Sequence, residues 1–138
     1  MKTLRQTWLH ERGVSISVFT VIAVGALLIA GGLAMDGAAA AQAHRRAEAA
    51  AAQVARVGAD AGAAFRLAGA DGGPAALQAA RLTAANYPGI EFEMRMSGGQ
   101  VAVYTTARVD TTFLQFIGIR SLTVSGYASA ALIPTPPG

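Results

Sequence analysis

The hydrophobic rhythm of the chain changes several times, and each change predicts an element. From Val14 to Met35 there are 22 consecutive uncharged residues, mostly apolar, with Arg12 before them and Asp36 just after. At about 1.5 Å per residue such a run makes a helix of about 33 Å, which matches the roughly 30 Å hydrocarbon layer of a bilayer. A single membrane span is therefore expected over 14–35. From Gly37 to about Ala68 the sequence stays rich in Ala, with no Pro and few β-branched residues, so helix propensity carries the same helix onward. Its apolar stripe reads Val54, Val57, Ala61, Ala64/Phe65 and Ala68, spaced three or four apart, with Gly58 and Gly62 as candidate bends. The breaker "GADGGP" ends it, and Pro74 opens a second helix that runs to about Asn86 and stops before "NYPG".

Beyond Gly89 the period drops to two. Ile90, Phe92, Met94 and Met96 alternate with Glu91, Glu93 and Arg95, as a half-buried strand requires. After "SGG", Val101, Val103, Thr105, Ala107 and Val109 share one side of a second strand. Leu122, Val124, Gly126, Ala128, Ala130 and Leu132 share one side of a third. Three strands with one apolar face need a cover, and the first helix supplies it. The predicted class is α+β: a long N-terminal helix, a short second helix, and a small three-stranded antiparallel sheet packed on the first helix. The segment "TTFLQFIGIR" is too long for a tight turn and is expected to form a short helical connection that closes one end of the core. The chain then divides into a basic leader at 1–13, a span at 14–35, a domain at 36–133 and a Pro-rich tail at 134–138.

Composition supports the span, since 53% of the 138 residues are hydrophobic and only 14% are charged. Lys2, Arg5 and Arg12 precede the apolar run while Asp36 follows it, so the positive-inside rule places the N-terminus in the cytoplasm and the domain outside. The rival is a cleaved signal peptide, for which "AAAAQA" from Ala38 offers small-residue sites; the apolar run is longer than such leaders carry. The net charge of +3 comes from scattered Arg residues matched by nearby carboxylates, which argues against nucleic acid as a partner. Absence of cysteine removes disulfides, thiolate metal sites and a Cys nucleophile.

Candidate chemistry is sparse. His44 and Glu48 stand at helical spacing, but two ligands on an exposed helix fall short of a zinc site. Glu91 and Glu93 read as the solvated side of a strand. No nucleophile stands beside a base, so neither an enzyme nor a cofactor is expected. Tyr87, Tyr104 and Tyr127 are the candidate contacts if the domain is instead a tethered binding module for an envelope polymer or secreted ligand. Ala26, Ala30, Ala34 and Ala38 place a small residue at every fourth position, a candidate helix-packing face for homo- or hetero-oligomers in the membrane.

The segments "ERGVSISVF" at 11–19, "GLAMDGA" at 32–38, "AEAAAAQVARVGADAGAA" and "FLQFIGIRSLTVSGYASAAL" at 113–132, in that order, resemble the TadE/TadG-like proteins of tight-adherence (Flp) pilus systems. More broadly, the plan is similar to type IV pilins and pseudopilins. The resemblance implies a pilin-like, membrane-anchored minor subunit that helps assemble or anchor the pilus. Its implied partners are pilin subunits, TadE/TadG-like paralogues and the membrane platform. Asp36 itself reads as a carboxylate that marks the outer membrane–water interface of the helix, and the resemblance implies the alternative that it pairs with an Arg of a partner subunit. Members cut by a prepilin peptidase carry Gly followed five residues later by Glu and then Phe. Here Gly13 and Phe19 fit, but Val18 stands in place of Glu, so the bond between Gly13 and Val14 is expected to stay uncut.

Overall fold

In the computed structural model, the backbone is described for residues 11–132 and side chains from residue 16 onward. The leader up to residue 10 and the tail from 133 lie outside the described residues. Among the described residues six elements follow one another: helix α1 (Glu11–Leu67), helix α2 (Gly73–Ala84), strands β1 (Ile90–Ser97) and β2 (Gln100–Asp110), a 3-10 turn (Leu114–Ile117), and strand β3 (Ser121–Ala131). The expected α+β class, with one long helix, one short helix and an antiparallel sheet, is what the chain forms.

Helix α1 is a single 57-residue rod. At about 1.5 Å per residue it is about 85 Å long, enough to cross a bilayer and still carry a domain. Its most apolar stretch has a mean hydropathy of 2.4, is almost wholly uncovered by the rest of the chain, and is long and apolar enough to span a membrane. Ile16, Phe19, Ile22, Leu27, Leu28, Ile29 and Met35 are all exposed, so this part of the helix is apolar on every side. The hydroxyl of Thr20 donates to the Ile16 carbonyl at 2.9 Å, which satisfies it without water.

The upper half of α1 carries the domain. Strands β1, β2 and β3 form an antiparallel meander in that order, with Tyr104 opposite Tyr127 and Met94 opposite Val103. Gly98 and Gly99, both at positive φ, make the two-residue β1–β2 turn, a conformation that residues with a Cβ resist. Strands β2 and β3 lie directly on α1, and α2 covers the same helix alongside β1. Asp71 accepts the Gly73 N–H at 3.0 Å, a local turn that leads into α2, whose N-cap is Gly72.

The stripe that α1 buries differs from the expected one. Ala47, Ala50, Ala51, Val54, Ala55 and Ala59 form it, whereas Phe65 is half exposed and Leu67 is fully so. Small residues win because they let the sheet and α2 approach the helix backbone closely. A Cβ on Gly126 would lie 2.6 Å from Glu48 N, and one on Gly72 only 2.1 Å from Gly62 O. Gly58 and Gly62, expected as bends, are where α2 meets α1, and the helix continues through both. The large buried side chains are few, chiefly Leu132, Val54, Val101 and Val103.

Candidate membrane-boundary site

Among the described residues, the most specific polar arrangement is centred on Asp36, one residue past the apolar run. The connection between β2 and β3 folds back along α1, and three successive N–H groups at the start of its 3-10 turn point at this carboxylate. Thr112 donates to Oδ1 at 2.8 Å, while Phe113 and Leu114 donate to Oδ2 at 2.8 and 2.7 Å. Asp36 is only 4% exposed. Burial pushes its carboxyl pKa up, but the three charge-assisted bonds outweigh that effect and hold it below the ordinary aspartate value. One turn earlier on α1, Gly32 lies beneath the Phe113 ring, where an added Cβ would fall 2.3 Å from Phe113 Cδ1. A carboxylate and a missing side chain on one helix face thus seat the loop.

From the sequence Asp36 reads as an interface carboxylate, with pairing to an Arg of another subunit as the alternative. In the structure both of its oxygens are engaged by its own chain and the side chain is buried. The connection is helical as expected, yet it does not close the core. Phe116 and Ile117 are 82% and 72% exposed, because the turn projects away from the sheet and beside the helix. No local signal in the sequence announces the latch, since residues 36 and 112 are brought together only by the fold.

The other expected residues are scattered. Ala26, Ala30, Ala34 and Ala38 are all exposed. At about 100° per residue their face is centred about 160° around the helix from Gly32 and Asp36, so it points away from the β2–β3 connection. Gly13 and Val14 fall in α1 where only the backbone is described, and Phe19 is exposed on the apolar stretch.

His44 reaches Glu48 at 3.4 Å through Nε2, and its Nδ1 lies 2.7 Å from the Ser125 carbonyl. A carbonyl oxygen only accepts, so Nδ1 carries a proton and the ring ties α1 to β3. Thr105 makes a second tie, donating to the Ala47 carbonyl at 3.0 Å from a fully buried position. Neither tie was expected. A Gly at the buried position 126 of an alternating strand was a legible sign of close helix–strand approach.

Glu93 pairs with Arg95 on the open face of β1. Among the described residues no three His, Cys, Asp or Glu side chains gather as a metal site. The tyrosines do not converge either. Tyr104 and Tyr127 pack ring to ring at 4.8 Å on the outer face of the sheet, while Tyr87 leans on Phe92 at the helix-facing side. An open groove of about 600 Å³ runs beside Tyr87, lined by Arg46, Ala50, Gln53, Asn86 and Ile90.

No family model, curated protein or solved structure matches this chain.

Proposed function

We propose that the protein is a bitopic, pilin-like minor subunit that helps assemble or anchor a pilus of the tight-adherence (Flp) type. Its N-terminus lies in the cytoplasm, α1 crosses the membrane over 14–35, and residues from 36 onward form the extracytoplasmic domain. The observation that carries this reading is the division of α1. Its lower half exposes Ile16, Phe19, Ile22, Leu27 and Leu28 on all sides, and its upper half is the spine on which the sheet and α2 pack. An uncovered apolar surface of that extent calls for lipid or other helices. A rod continuous through the boundary passes force between membrane and domain without a hinge. The basic residues of the leader supply the orientation. The small face at Ala26, Ala30, Ala34 and Ala38 is exposed and points away from the β2–β3 connection, and so is open to neighbouring spans. With Val18 in place of the peptidase-associated Glu, the leader is retained.

Deletion of the gene in its native host, followed by complementation, tests this function. The full chain is expected to restore surface pili. A form secreted without residues 1–35 is expected not to. Piliation unaffected by the deletion, or restored by the untethered domain, would overturn the proposal.

A further inference from the structure

The connection between β2 and β3 has the composition and the internal bonding of a segment that enters lipid. From Thr111 to Ile119 it contains no charged residue, and Arg120 ends it. Its outward side chains are Phe116, Ile117 and Ile119, at 82%, 72% and 41% exposure. Such a cluster in water would be an unexplained cost. The location removes the anomaly. Phe113 lies over Gly32, which belongs to the apolar run of α1, about 6 Å along the helix axis to the cytoplasmic side of Asp36. The loop therefore shares the level at which the span leaves the hydrocarbon.

Backbone polarity would normally bar an irregular loop from that layer, because each unpaired N–H there costs several kcal/mol. Here seven N–H groups of the segment have partners within the chain. Those of Thr112, Phe113 and Leu114 go to Asp36. That of Thr111 goes to the Arg120 carbonyl, and those of Phe116, Gly118 and Ile119 go to carbonyls of the same segment. The Thr111 hydroxyl donates to the Ile119 carbonyl, and the Gln115 amide donates to that of Thr112. The Asp36 latch and the loop's own turns thus satisfy these backbone groups in advance, while Phe116 and Ile117 face outward.

We infer that residues 113–119 form a second membrane contact, with Phe116 and Ile117 inserted into the outer leaflet beside the span and Arg120 at headgroup level. The occupant of this apolar surface is the lipid that already surrounds α1, since the two surfaces are continuous through Gly32 and Phe113. A span alone leaves a domain free to tilt and to rotate about the helix axis. A second contact set to one side of the helix restricts both motions and presents the sheet in a defined orientation.

The inference rests on the reading of α1 as a membrane span, and one experiment separates the two. The chain has no cysteine, so single-Cys variants accept a fluorophore cleanly. The full-length variants F116C, I117C, L28C and Y127C, all at exposed positions, are labelled with an environment-sensitive dye. They are then reconstituted in phosphatidylcholine–phosphatidylglycerol vesicles carrying shallow or deep lipid quenchers. Labels at 116 and 117 are expected to emit blue-shifted and to be quenched by the shallow lipid. The label at 28 should respond to the deep lipid, and that at 127 to neither. Water-like emission at 116 and 117 with a buried label at 28 would overturn the inference and leave the span intact. Shielding of 116 and 117 from both water and lipid quenchers would also overturn it, in favour of a protein neighbour. A water-exposed label at 28 would sink the span and the inference together.

Discussion

At the scale of single residues, Asp36 decides how the domain meets the helix. Its carboxylate holds three N–H groups of a loop far away in sequence, and its charge is what makes those bonds strong. Because folding lowers its pKa, the latch contributes fully above the unfolded aspartate value and is lost as pH falls through the lower folded one. Amide exchange at Thr112, Phe113 and Leu114, corrected for intrinsic rates, is therefore expected to stay slow at neutral pH. Protection should fall once the pH drops below about 4, the ordinary aspartate range. Asp36→Ala should remove this protection at every pH, whereas Asp36→Asn, which keeps one acceptor oxygen, should retain part of it. Unchanged protection in the Ala variant would show that the loop is held by Phe113 on Gly32 alone.

Among the elements, α1 and the sheet are joined by small residues, and the few large side chains between them carry a disproportionate share of the packing. Leu132 is fully buried and abuts Gly62. Leu132→Ala is expected to cost about 2–5 kcal/mol, as cavities in close-packed cores do. Gly126→Ala should cost about 1–3 kcal/mol from the opposite cause, because its Cβ would press on the α1 backbone at Ala47 and Glu48. Denaturant unfolding of the full chain in detergent, followed by the circular dichroism of the sheet and helices, measures both. A neutral Gly126→Ala would mean that β3 can lift off the helix, and would count against the tight seam.

For the whole molecule, the small-residue face and the β2–β3 connection lie on opposite sides of one rod. Spans meeting through Ala30 would keep these connections clear of each other. Ala30→Cys is accordingly expected to give crosslinked dimers or mixed adducts in native membranes. Leu28→Cys, about 140° around the helix from the centre of that face, should give few by the same helical geometry. Equal crosslinking at both positions would indicate random collision rather than a preferred face.

The elements themselves were written in the order of residues. An apolar run of bilayer length, an Ala-rich continuation, a Gly/Pro break and three alternating strands each follow from periodicity within a dozen neighbours. The inward positions Val101, Val103, Thr105 and Ala107 are buried as the alternation requires. What the sequence could not supply were choices among faces and partners. In an Ala-rich helix several stripes are nearly equal in apolarity, so the buried one was set by where the sheet could approach the backbone: at Ala47, Ala51 and Ala55, not at Phe65. Asp36 likewise reads as an interface carboxylate until the β2–β3 connection is brought to it across 76 residues. Short-range periodicity comes from local backbone geometry, which each residue carries with it, whereas a latch or a packing seam exists only once distant segments share the same space.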